Sequence, residues 1–97
     1  MSESKDRVQK NIWFTYILEC RDGSLYTGVS TDVNRRFKEH CSKKARYTSY
    51  NPPVRIAYTE LFRNKIRAFR REAEIKGWTR RKKLALIAGD LALLKVL

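Results

Sequence analysis

The sequence predicts an α+β domain: a small three-stranded, mainly antiparallel sheet flanked by helices, in the order ββαβαα. Three observations carry this. Near the N-terminus an aromatic and β-branched run, a turn and a second such run follow one another. Apolar side chains then recur at helical spacing on either side of one further strand-like segment. A length of 97 residues leaves room for one compact core and no second lobe.

Residues 1 to 10 carry one apolar side chain after Met1, and a frayed leader is expected there, with a single domain over residues 11 to 97. Ile12 to Cys20 is aromatic and β-branched, Arg21 to Ser24 supplies turn chemistry, and Leu25 to Val29 resumes strand composition, which together make a hairpin. The first strand is apolar at nearly every position, as a central strand buried on both faces would be. Asp32 starts a helix running to Ser42, with Val33, Phe37 and Cys41 at i, i+4 and i+8. The polar, basic stretch Ser42 to Asn51 reads as a loop, because Pro52 and Pro53 forbid a continuing helix. Val54 to Leu61 is the third strand, and Asn64 to Trp78 a second helix that Gly77 can stop. Thr79 caps Arg80 to Ala88, and Asp90 caps a last apolar turn from Leu91 to Val96.

Composition narrows the function. Hydrophobic residues are 42% and charged residues 33% of the chain, which excludes both a disordered polyelectrolyte and a membrane protein. No apolar run approaches the ~18 residues of a bilayer span, and the N-terminus lacks a signal-peptide core, so a cytoplasmic protein is expected. Cys20 and Cys41 are the only cysteines and His40 the only histidine, too few for a disulfide framework or a zinc site. Both thiols are expected to be free. With 22 Lys and Arg against 10 Asp and Glu, the net charge is +12. So basic a small domain attracts polyanions, nucleic acid foremost, and nothing in the pattern calls for a membrane or an obligate protein partner.

Four groups of residues could carry chemistry. On the first helix, projection at about 100° per residue puts Arg36 and His40 beside the buried stripe of Val33 and Phe37, with Arg35, Lys38 and Glu39 pointing away. A guanidinium matches phosphate oxygens and an imidazole moves protons near neutral pH. Spacing alone leaves Arg36 open between phosphate contact and a stem laid over Phe37, and leans towards a boundary position for His40. On the second helix the projection puts Ile66, Phe69 and Ala73 on the core face, Ala68 and Ile75 widening the arc, and Glu72 inside it. Glu74 falls on the outer face among Arg67, Arg70 and Arg71, where a pair with Arg70 explains it. A carboxylate on a core-facing arc needs a partner: a salt bridge to a core-edge arginine, or a divalent cation that keeps most of its waters. Tyr16 and Tyr26 occupy near-facing hairpin positions, where cross-strand packing is the ordinary use of tyrosine. Gly28 weakens its strand unless a bulge or another backbone needs the space. Lys43, Lys44, Arg46 and Tyr47, in the basic loop, suit a sugar-phosphate backbone or a solvated loop equally.

Taken together, the residues from Trp13 to Ile87 resemble the GIY-YIG nuclease family, particularly its small single-domain bacterial members. Phe14, Thr15 and Tyr16 stand where the family has Gly-Ile-Tyr, and Tyr26, Thr27 and Gly28 where it has Tyr-Ile-Gly. Arg36 and His40 match the helix arginine and the His or Tyr one turn later, and Arg71 to Trp78 resembles the metal-binding segment with Glu72 at the ligand position. The first motif keeps only its tyrosine, and the asparagine that larger members carry after the metal ligand has no match. The resemblance implies a metal-dependent endonuclease that hydrolyses phosphodiester bonds, DNA before RNA, of the kind that serves repair or recombination. It implies one Mg2+ or other divalent cation per site on Glu72, Tyr16 as proton acceptor aided by Tyr26 and His40, Arg36 on the phosphoryl oxygens, and Lys76 with the loop cations on the backbone. A non-catalytic nucleic-acid-binding module of the same fold is the alternative, since the charge suffices for binding.

Overall fold

A computed structural model describes residues 12–42 and 51–97 of the chain. The hairpin forms where the turn chemistry predicts. β1 (Trp13–Cys20) passes through Gly23, at a φ of 87°, into β2 (Leu25–Ser30). The turn is held by the Asp22 carboxylate, which accepts from the Ser24 amide at 2.8 Å. β3 (Pro53–Phe62) then pairs with the other side of β1. The sheet order is β2-β1-β3 and both pairings are antiparallel. The apolar first strand is thus the central one.

Its two faces make two cores. On one face Tyr16 and Leu18, with Phe14, Tyr26 and Ile56, pack under Val33 and Phe37 of α1 (Val33–Cys41). On the other, Ile17 with Leu25 and Tyr58 packs under three helices: α2 (Lys65–Lys76), α3 (Arg80–Ala88) and the short α4 (Leu91–Val96). Ile75, Trp78, Leu86, Ile87 and Leu94 fill that side. The last apolar turn is therefore a helix in its own right, appended to the ββαβαα order. All four helix starts read from the sequence are real caps: the side chains of Asp32, Asn64, Thr79 and Asp90 each accept from a backbone amide of the following turn. Cys20 is buried, Cys41 exposed, and both are free thiols.

The projection of α2 was rotated from its true setting. Ala68 and Ile75 are fully buried, whereas Ile66 at 61% and Phe69 at 44% exposure lie outside, as does Ala73. The cause is close approach. Alanine at 68 lets the helix backbone settle on β1, where the buried Thr15 hydroxyl donates to the Ala68 carbonyl at 2.7 Å, and the larger apolar residues are left at the rim. On α1 a similar change occurs, with His40 buried in place of Cys41. The predicted leader over residues 1 to 10 and the loop cations Lys43, Lys44, Arg46 and Tyr47 lie outside the described residues.

Asn64 caps α2 by accepting from both the Ile66 and Arg67 amides. Asn64→Ala should lower stability by about 1 kcal/mol. In urea denaturation the midpoint should fall while the slope stays fixed.

Candidate active site

The site grows from the register of the hairpin. Tyr16 pairs with Gly28, and Tyr26 with Leu18, so the tyrosines are diagonal neighbours on one face, not directly opposite. Their ring centroids are 6.5 Å apart. A Cβ on Gly28 would stand 2.5 Å from the Tyr16 hydroxyl. The glycine in this strand is therefore a seat for the phenol: the space it leaves belongs to a side chain of the neighbouring strand.

α1 brings the next two groups. Its cap and buried Val33 turn Arg36 and His40 towards the tyrosine face. Tyr26 meets the His40 ring edge-on with centroids 5.0 Å apart. Arg36 donates to Glu39 through Nη1 at 2.7 Å, and its Nη2 lies 3.5 Å from His40 Nε2. Arg36 also lies close enough to the Tyr16 phenol to pull its pKa down. The arginine stem thus serves a polar cluster in preference to a cover over Phe37. His40 is 1% exposed, a buried group and not a boundary one. Glu39, which the projection turned outward, is the anchor of Arg36; the i, i+3 spacing was the signal for it.

Two titrations follow from this packing. Burial raises the Tyr16 pKa above the ordinary phenol value, with the charges of Tyr26 and Glu72 adding to it, while Arg36 opposes the rise. Burial lowers the His40 pKa, Arg36 lowers it further, and Glu39 works against both. The imidazole is neutral at pH 7.

Glu72 flanks the Ala68–Ile75 stripe of α2 with its side chain 18% exposed, and it is near enough for its charge to act on Tyr16. Its ion-pair partner is Lys76 Nζ at 3.2 Å, one turn on along the same helix, where the sequence left open a core-edge arginine or a divalent cation. Glu74 is 54% exposed and pairs with Arg71, not Arg70. Arg71 also donates to Glu60 at 3.0 Å and lies over the Trp78 ring at 5.1 Å, and Glu60 in turn accepts from Tyr58 at 2.7 Å. This network ties α2 to β3. Arg71–Glu74 has the i, i+3 spacing of a helix pair, whereas the links to Glu60 and Tyr58 cross between elements and carry no periodic signal.

Tyr16, Tyr26, Arg36 and His40 therefore form one contiguous cluster, with Glu72 within electrostatic reach. Residues 12–85 of the chain match the family model described as the GIY-YIG catalytic domain. The chain belongs to the GIY-YIG family. A Staphylococcus aureus relative named UPF0213 protein is 49% identical over 75 residues, covering 76% of this chain and 92% of that protein. The solution NMR structure of a UPF0213 protein from Bacillus halodurans is 49% identical and superposes with a TM-score of 0.53 over 79% of this chain and 83% of its own. A second solution structure, of a protein from E. faecalis, is 32% identical with a TM-score of 0.55 over 82% and 88%. These neighbours share the α+β architecture, and the GIY-YIG family is one of nuclease type. Among the described residues no helix is long and apolar enough to cross a membrane.

The family implies a divalent cation, and the donor chemistry of this GIY-YIG domain fits one. Glu72 offers a hard carboxylate within electrostatic reach of Tyr16, and among the described residues no group of three or more His, Cys, Asp or Glu side chains gathers anywhere. A Mg2+-like ion that keeps most of its waters needs no more than one carboxylate and the substrate phosphate.

Because the His40 pKa is lowered on folding, the unfolded chain takes up the proton first as pH falls. Stability is fully present above the ordinary imidazole value of about 6.5 and declines below it. Thermal unfolding should show Tm falling between about pH 7 and pH 5, and His40→Gln should flatten that slope. Since the chain has one histidine, an unchanged slope in the variant would place the proton uptake elsewhere.

Proposed function

We propose that this GIY-YIG domain is a divalent-metal-dependent endonuclease that hydrolyses phosphodiester bonds in nucleic acid, DNA before RNA. The observation that carries the reading is the convergence of Tyr16, Tyr26, Arg36 and His40 on one sheet face with the charge of Glu72 acting on the Tyr16 phenol. A cross-strand tyrosine pair needs neither the guanidinium nor the carboxylate.

The division of labour follows from the environments. Tyr16 is held against Gly28, and Arg36 works against the burial that disfavours its phenolate, the form able to take a proton from the attacking water. Tyr26, partly exposed where Tyr16 is buried, lines the approach to it, and neutral His40 fixes the Tyr26 ring edge-on. As water's oxygen bonds to phosphorus, the bond to the leaving sugar oxygen breaks and charge grows on the phosphoryl oxygens. Arg36, held in place by Glu39, meets that charge with its guanidinium. Glu72 would hold the divalent cation, which would supply Lewis-acid chemistry to the reacting phosphate. Lys76, one turn along α2 from Glu72, and the loop residues Lys43, Lys44, Arg46 and Tyr47 serve the sugar-phosphate backbone, without reading bases.

Two glutamates on one helix test this. Glu72→Gln should abolish plasmid nicking in Mg2+ while leaving nucleic-acid binding intact or tighter, because a negative charge facing phosphate is gone. Glu74→Gln should lose only an exposed pair worth about 0.3 to 0.5 kcal/mol and nick at the parent rate. Nicking that persists in EDTA or in the Glu72 variant would show cleavage that does not depend on a cation at Glu72, and no Mg2+-dependent nicking by the parent would leave a binding module with this fold.

A further inference from the structure

The largest aromatic group outside the cluster sits where α2 begins. Trp13, at the start of β1, and Phe69 pack with ring centroids 6.3 Å apart and planes tilted by 48°. Lys65 Nζ lies 5.2 Å from the Trp13 ring centroid and 6.0 Å from that of Phe69. Phe69 is 44% exposed beside the still more exposed Ile66. Trp13 is half-buried, so the open part of this group is the Phe69 ring with Ile66 beside it, and contiguous apolar surface of this kind marks an interaction site.

Three observations say what covers it. From Leu61 to Arg71 the chain carries Arg63, Lys65, Arg67, Arg70 and Arg71 and no acidic residue. Of these, only Arg71 has a carboxylate partner among the described residues. The occupant is therefore anionic, and a second copy of a chain with net charge +12 is repelled. Second, Lys65, Phe69, Glu72 and Lys76 follow one another at i, i+4, i+7 and i+11, which at about 100° per residue is one narrow stripe of the helix. The aromatic pair thus lies on the Glu72 side of α2, about one turn before it. Third, an exposed aromatic ring backed by a second ring and flanked by cations is what an unpaired nucleotide recognises, its base on the ring and its phosphate on the cation.

We propose that Trp13, Phe69 and Lys65 form a stacking platform for an unpaired base of the nucleic-acid substrate, so that the site takes strands that are single or splayed beside the scissile phosphate in preference to continuous duplex. This rests on the nucleic-acid reading above and names its substrate class. The platform adds affinity only where a base is free to leave its partner, because a paired base has both faces already stacked.

Binding measured in EDTA by fluorescence anisotropy separates the two claims, with a labelled oligothymidylate and a labelled blunt duplex of equal phosphate number as probes. Phe69→Ala should weaken oligothymidylate binding about 5- to 100-fold and leave duplex binding unchanged, and Phe69→Trp should restore the single-strand affinity. Circular dichroism should match the parent, since the ring is at the surface. Equal losses on both probes, no loss on oligothymidylate, or failure of the tryptophan to restore it would each overturn the platform while leaving the nucleic-acid reading in place. Absence of binding to either probe by the parent chain would overturn both.

Discussion

The Tyr16 phenol lying against the bare backbone of Gly28 is the contact from which the rest of the cluster takes its positions. It exists because β1 is central, so that Tyr16 is covered by α1 on its own face while its hydroxyl reaches across to β2. With a Cβ at position 28 the ring would have to move, and every partner that addresses the hydroxyl would lose its target. Arg36 reaches the phenol from α1, and Arg36 is itself aimed by Glu39 and its neighbour His40. Tyr26 closes the arrangement by packing between the Tyr16 and His40 rings. One missing side chain thus sets a geometry that five others share.

The opposite face of the sheet supplies what this cluster lacks. α2 is seated by Ala68 and Ile75 and by the hydrogen bond from Thr15, and the Arg71 bridge to Glu60 and Glu74 with its stack on Trp78 fixes the helix against β3. Those contacts leave Glu72 at the flank of the buried stripe, partly shielded but still reachable. A carboxylate buried further would be neutralised or bound permanently to a cation of the protein, and one exposed fully would have no effect on the phenol. Lys76 compensates it from within the helix without burying it. The two faces of the hairpin therefore meet electrostatically at Tyr16, where the Arg36 cation and the Glu72 anion pull the phenol pKa in opposite directions.

Much of this was legible in the chain, and the parts that were not share a cause. Strand composition, the Asp22–Ser24 turn and the four caps are local features, and the elements they define end within a residue or two of where they were expected. The order of Tyr16, Tyr26, Gly28, Arg36, His40 and Glu72 gave the cluster through its family resemblance, and their packing was not derivable from spacing. Helical periodicity located the apolar side of α2 but not its centre. It weights large residues, and the real seat is made by an alanine small enough for backbone contact. His40 was undervalued for a related reason: periodicity counts a histidine as polar, and only the tertiary fold shows the aromatic wall of Tyr26 against it. Gly28 is legible as a residue that needs space, but the occupant of that space, the Tyr16 side chain directly opposite it, emerges only with the register.

The central claim is that the Gly28 seat positions the Tyr16 phenol for proton transfer, and Gly28→Ala tests it most directly. The added methyl demands a shift of the ring approaching ~1 Å, and a displacement of that size costs about 10²-fold in rate when the displaced group takes part in the chemistry. The account predicts nicking in Mg2+ reduced by about that factor, with circular dichroism and duplex affinity preserved. Nicking at the parent rate by a folded Gly28→Ala variant would contradict it, and would show that Tyr16 only packs the sheet.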